Sequence, residues 1–197
     1  MSKSIVVYLP EEFADWEGAF LLPELRQIKK PVTIVSETGG PVLSIGGLKV
    51  HVDGGLTDVS PENTEALILI GSDTWPIAAK NEKILKMVPE FHKRGVLIGA
   101  ICAATVALAR IGMLDGRKHT SNDLGALKQL VPTYRDEKNY QEELAVTDGN
   151  LITASGVGYL EFTMAVMRHL NIYNEEKRQQ WYALYRSGIK PPLEFWS

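Results

Sequence analysis

Cysteine occurs once in the chain, so no intramolecular disulfide can form. A lone thiol fits a reducing cytoplasm, although an exported chain can also lack disulfides. Long apolar runs are absent as well. The apolar stretch at residues 5–9 stops at Pro10, which is too short for a leader core. No run reaches the about 18 residues of a membrane span. There is no excess of positive charge either: 21 basic residues stand against 24 acidic ones, net −3, so a nucleic-acid partner is not expected. The four histidines, His51, His92, His119 and His169, are scattered. With no His-x-x-x-His or Cys-x-x-Cys spacing, no metal is expected. No phosphate loop and no Gly-x-Gly-x-x-Gly after a strand is present, and no cofactor is expected. Pro/Gly/Ser-rich linkers, repeats and low-complexity tracts are missing too. The 197 residues therefore read as one domain, long enough to bury a core without staples.

What is present is an alternation of buried strands and amphipathic helices. Strands are expected at residues 5–9, 32–36, 66–70, 96–100 and 117–121, the first rich in β-branched residues as in strands covered on both faces. Helices are expected at 17–29, 81–93, 104–111, 124–131, 157–170 and 174–187. Pro89 should kink the second helix or mark an irregular turn. Glycine pairs at Gly39-Gly40 and Gly46-Gly47 frame short extended pieces at 42–45 and 48–52, a hairpin excursion. Asp148-Gly149-Asn150 marks a second hairpin between 144–147 and 151–154. The apolar tail from Pro191 to Trp196 could dock on the body or on a partner. Such alternation implies an α/β, doubly wound, mainly parallel sheet, whose ligands sit beyond the carboxyl ends of the strands.

One segment carries chemistry. Gly95-Val-Leu-Ile-Gly-Ala-Ile-Cys-Ala-Ala-Thr105 runs a buried strand into Cys102 with almost no loop, and a helix follows at once. A strand–nucleophile–helix elbow presents its side chain at the top of the sheet. The helix N-terminus favours thiolate there, and the N–H of Ala103 points where an oxyanion could form. The same cysteine beside Ile101 and Ala103 also reads as ordinary buried core. Trp16 and Trp75 fall near strand ends and read either as pocket walls or as packing residues. Trp181, Tyr182 and Tyr185 form a helical stripe of core or dimer contact.

The run from Ala100 through Gly112-Met-Leu-Asp-Gly-Arg117 to Thr120-Ser121 resembles the nucleophile-elbow segment of the ThiJ/PfpI superfamily. Three further segments resemble that superfamily in order. They are Glu17 within Asp15-Trp-Glu-Gly18, the loop Ile70-Gly-Ser-Asp73, and Thr153-Ala-Ser-Gly-Val-Gly158 with Glu161. The resemblance spans about residues 4–172, leaving a C-terminal helix and tail at 174–197. It implies a flavodoxin-like, class I glutamine amidotransferase-like fold, and it implies roles. Cys102 is the nucleophile, Glu17 a largely protonated neighbour that hydrogen-bonds the sulfur, and the N–H groups of Ser72 and Ala103 an oxyanion hole. Read without the resemblance, Glu17 is an exposed helix-start carboxylate and Ser72 a turn residue.

Two positions depart from the pattern. Peptidases of this superfamily carry histidine directly after the cysteine, where this chain has Ala103. Many other members carry histidine where this chain has Asn122. On a strand His119 and Asn122 would face opposite sides, so His119 does not simply replace the missing group, and peptidase activity is in doubt. His119 and Asn122 stay candidates for a third catalytic group. The resemblance implies a cysteine hydrolase or glutamine amidotransferase-like enzyme acting on a small carbonyl or amide, including glyoxalase or deglycase chemistry on reactive aldehydes. The alternative is a redox-responsive, protective protein whose Cys102 is oxidised without turnover, and a third option is an interaction module that lost the chemistry. A homodimer is expected from the same resemblance.

Overall fold

The computed structural model describes residues 3–196, and of Ala78 the backbone alone. Its centre is a seven-stranded sheet. The strands are β1 (Ser4–Tyr8), β2 (Val32–Ser36), β5 (Gly54–Gly55), β6 (Thr64–Leu69), β7 (Leu97–Ile101), β8 (Ala145–Asp148) and β9 (Leu151–Ala154). They lie in the order β5-β2-β1-β6-β7-β9-β8. Every pairing is parallel except that of β8 with β9, the hairpin at the sheet's edge. The separate hairpin of β3 (Val42–Leu43) and β4 (Lys49–Val50) is antiparallel, at the place expected for the glycine-framed excursion.

The central strands are apolar on both faces because both faces are covered. Val6 and Tyr8 of β1 pack with helices α2 (Glu82–Lys93), α3 (Ala103–Arg110) and α4 (Leu124–Leu130) through Ile84, Val88, Phe91, Ala104, Ala107 and Leu127. Ile5 and Val7 face the opposite layer, α1 (Leu21–Gln27), α5 (Tyr159–His169) and α6 (Glu175–Ser187), through Leu21, Leu25, Phe162, Met167 and Trp181. This is the three-layer arrangement that alternating strands and helices require. Phe195 of the tail is buried in the second layer.

Three expectations are corrected. Residues 117–121 do not form a strand. Only a single bridge joins His119 to Tyr140, because side chains satisfy the neighbouring backbone: Lys118 N–H donates to Asp148 Oδ2 at 2.7 Å and Thr120 N–H to Thr153 Oγ1 at 2.9 Å. The first helix begins at Leu21, leaving Glu17 in the turns that precede it. Pro89 marks no irregular turn: it lies exposed inside α2, which runs on to Lys93.

Candidate functional site

The site is assembled at the carboxyl end of β7. Ile101 ends the strand, and Cys102 donates its N–H to Ala154 O at 2.9 Å. Cys102 then takes φ 59°, ψ −131°, and α3 starts at the next residue. A non-glycine residue at positive φ is strained by about 1–3 kcal/mol and persists only where its surroundings fix it. Here the carbonyl of Cys102 accepts from both Thr105 N–H (3.0 Å) and Thr105 Oγ1 (2.6 Å), and Thr105 Oγ1 meets Ser121 Oγ at 2.7 Å. The thiol itself is half-buried.

Glu17 arrives from the turn after β1 and is completely buried. Its Oε2 accepts the N–H of Gly71 at 2.6 Å. Its Oε1 has no partner of ordinary hydrogen-bond geometry and is set against the Cys102 thiol. The backbone at Gly71 passes so close that a Cβ there would lie 2.5 Å from Glu17 Oε2 and 2.6 Å from Cys102 Cβ. A Cβ at Gly156 would lie 2.9 Å from the sulfur. Any side chain at either position would displace the acid or the thiol.

Asn122 completes the ring around the sulfur. Its Nδ2 donates to Cys102 Sγ at 3.3 Å, while its Oδ1 accepts the N–H of Gly156 at 2.8 Å. The N–H of Ala103 also points at the sulfur. Ser72 is buried in the neighbouring loop. Its hydroxyl donates to Glu11 O and accepts from Thr74 N–H at 2.9 Å, which sets the loop's shape. His119 is not brought to the thiol. It is fully buried with Nδ1 against Arg117 O at 2.6 Å and Nε2 against Tyr134 Oη at 2.7 Å, so both ring nitrogens are occupied by the scaffold. Trp75 is core, its Nε1–H donating to Ile70 O. Trp16 stands at the site's rim, where its Nε1–H donates to Gly156 O at 3.0 Å.

Burial dominates the acid–base behaviour. It lifts the Glu17 carboxyl from 4.5 to about 7, against the opposing pull of the Gly71 N–H and the thiol. It also pushes the Cys102 thiol up to about 11, and negative charge on Glu17 adds to the rise, while the donors of Asn122 and Ala103 act against it. The helix N-terminus therefore does not win at Cys102: desolvation outweighs it. Two acids in contact lose their protons in sequence and are best described as a pair. Below about pH 7 the pair keeps both protons, and between about 7 and 11 it carries one negative charge and one proton.

Among the described residues no cluster of three or more His, Cys, Asp or Glu side chains could hold a metal ion. No helix among them is long and apolar enough to cross a membrane. Two concavities of about 630 and 770 Å³ are lined, respectively, by Glu161, Arg168 and Tyr182 and by Arg26, Lys30 and Asp53. Neither includes Cys102.

The model of the DJ-1/PfpI family matches residues 3–169. This chain belongs to the DJ-1/PfpI family. It is 34% identical to the "Uncharacterized protease YoaZ" of Bacillus subtilis, covering 98% of this chain and 95% of that protein. It is 27% identical to the "Deglycase TK1284" of Thermococcus kodakarensis, covering 79% and 92%. The crystal structure of a thiJ/pfpI family protein from Bacillus anthracis superposes with a TM-score of 0.89 at 33% identity, covering 100% of this chain and 94% of that one. The seven-stranded, mainly parallel α/β architecture is thus that of the family.

Gly71 and Gly156 stand in the site although sequence reasoning assigned them no role there, and Trp16, expected as a pocket wall or a packing residue, stands at its rim. The loop and turn that hold the two glycines were legible as segments. Their approach to sulfur and carboxylate depends on the strand order and has no local signal.

Proposed function

We propose that this chain is an enzyme in which the Cys102 thiol adds to the carbonyl of a small electrophile, a reactive aldehyde or its adduct. Glu17 carries the proton. The observation that supports this best is the buried Glu17, held by Gly71 through one oxygen and facing the thiol with the other. As carboxylate, Glu17 takes the thiol proton while the sulfur–carbon bond forms and the π pair moves onto the carbonyl oxygen. The donors of Ala103, Ser72 and Asn122 stabilise that oxyanion, and Glu17 returns the proton to it. The hemithioacetal is an intermediate: on an α-oxoaldehyde, Glu17 then moves the proton from the hemithioacetal carbon to the neighbouring carbonyl carbon, giving a thioester. Water cleaves that thioester, releasing a 2-hydroxy acid and the free thiol, so the net reaction adds one water and consumes no oxidant.

Addition to an aldehyde needs one proton carrier and no leaving group. Amide cleavage must also protonate a departing amine, and Ala103 and the scaffold-bound His119 supply no second carrier. This favours a carbonyl substrate over a peptide, in line with the name of the deglycase relative. The redox reading calls for an acidified thiol, and burial acts in the opposite direction. The cytoplasm is the compartment proposed, since an unpaired thiol stays reduced there.

Incubation with methylglyoxal as probe tests the proposal. Many equivalents should be consumed per protein, with a rate rising about tenfold per pH unit below pH 7 and levelling above it, as Glu17 ionises. Stoichiometric consumption, or none, would overturn it. A homodimer is part of the same reading. Ile45, Leu48 and Val157 are exposed apolar side chains on segments that flank the site, and a second copy would cover them. Light scattering should give twice the 21.8 kDa chain mass, and a monomer at micromolar concentration would remove this element.

A further inference from the structure

We propose that Trp16 is a positioning residue that acts on the Cys102 thiol through Gly156 and Asn122. The inference rests on the reading of Cys102 as the reactive group and adds a determinant of its reactivity. An amide side chain can present either end, and the end that meets the sulfur decides its effect. At Asn122 the choice is made by Gly156: an N–H can meet only an acceptor, so Oδ1 must face Gly156, and Nδ2 must face sulfur. Asn122 is thereby fixed as a donor, which stabilises negative charge on sulfur or on an adjacent oxygen and cannot accept a proton.

That assignment is only as firm as the Gly156 backbone. Gly156 has no side chain to anchor it, and there is no space for one, since a Cβ built there would lie 2.9 Å from the sulfur. Two bonds hold it instead. On one side its N–H meets Asn122, and on the other its C=O accepts the indole N–H of Trp16 at 3.0 Å. Trp16 directly precedes Glu17 in the chain, so a single segment sets both the proton carrier and, through the relay, the donor opposite it. The ring is 44% exposed, so its N–H can be removed without opening a core cavity.

The test is the pH dependence of Cys102 alkylation by iodoacetamide, which involves no substrate and so stands or falls separately from turnover. Trp16→Phe keeps an aromatic ring at the rim and deletes the donor. It should slow alkylation at pH 8 by about two- to tenfold, the range one hydrogen bond supports, and raise the apparent thiol pKa. Asn122→Ala should act in the same direction. Adding Trp16→Phe to Asn122→Ala should change nothing further, because the relay is already cut. A Trp16→Phe rate and pKa equal to wild type, or effects that add in the double variant, would overturn the proposal. Matching thermal midpoints for wild type and Trp16→Phe exclude general unfolding as the cause. Loss of methylglyoxal turnover in wild type with these shifts present would reject the proposed function and leave the relay standing.

Discussion

Cys102→Ser should lower methylglyoxal turnover by roughly a thousandfold or more, because a hydroxyl is far less acidic and less nucleophilic than a thiol. The substitution is conservative in shape. Serine is smaller than cysteine, so the close approaches of Gly71 and Gly156 are relaxed, and Asn122 Nδ2 can donate to Oγ as it does to Sγ. The positive φ at residue 102 is held by Thr105 and by Ala154, none of which the substitution touches. The variant should therefore fold with a similar thermal midpoint and with Glu17 still buried, so that lost turnover reports the nucleophile alone. Turnover at the wild-type rate would move the chemistry away from this elbow and sink the proposed function.

Most of the fold is legible because burial on both faces leaves a local mark. The runs at residues 5–8 of β1, 66–69 of β6 and 97–101 of β7 are continuous and apolar, and the helices between them keep a period that points Ile84, Val88 and Phe91 inward. The errors have a common origin. Residues 117–121 have strand-like spacing, but their backbone partners are side chains of β8 and β9, and no ladder forms. β5 consists of two glycines, which carry no strand preference, and its pairing with β2 comes from the path of the chain. At the site, the elbow is legible at Cys102 because strand, nucleophile and helix are contiguous. The burial of Glu17 is not legible, since a carboxylate after a strand reads equally as an exposed helix start. The orientation of Asn122 is further from view, because Gly156, which fixes it, lies on a different segment and reaches it only in the folded sheet.

Glu17→Gln should separate two properties that usually move together, the acidity of the thiol and its usefulness. Glutamine keeps the shape of the side chain and can accept the Gly71 N–H through its amide oxygen, which turns its NH₂ toward the sulfur. The negative charge that helps push Cys102 up to about 11 is gone, so the thiol becomes more acidic and its alkylation near neutral pH faster. The proton carrier is gone as well, so methylglyoxal turnover should fall by about 10²–10⁴-fold and lose its rise near pH 7. Stability should shift with the same sign logic. A carboxyl raised from 4.5 in the unfolded chain to about 7 in the fold contributes fully below pH 4.5, and that contribution is lost as pH climbs through 7. This amounts to roughly 3 kcal/mol across the window. Chemical denaturation of wild type should therefore show stability declining between pH 4.5 and 7, and the Glu17→Gln profile should be flatter by that amount. A variant that kept both turnover and its pH dependence would show that the proton travels by another route. A thiol made less acidic by the substitution would show that Glu17 acts on the sulfur as a hydrogen-bond donor and not as a negative charge.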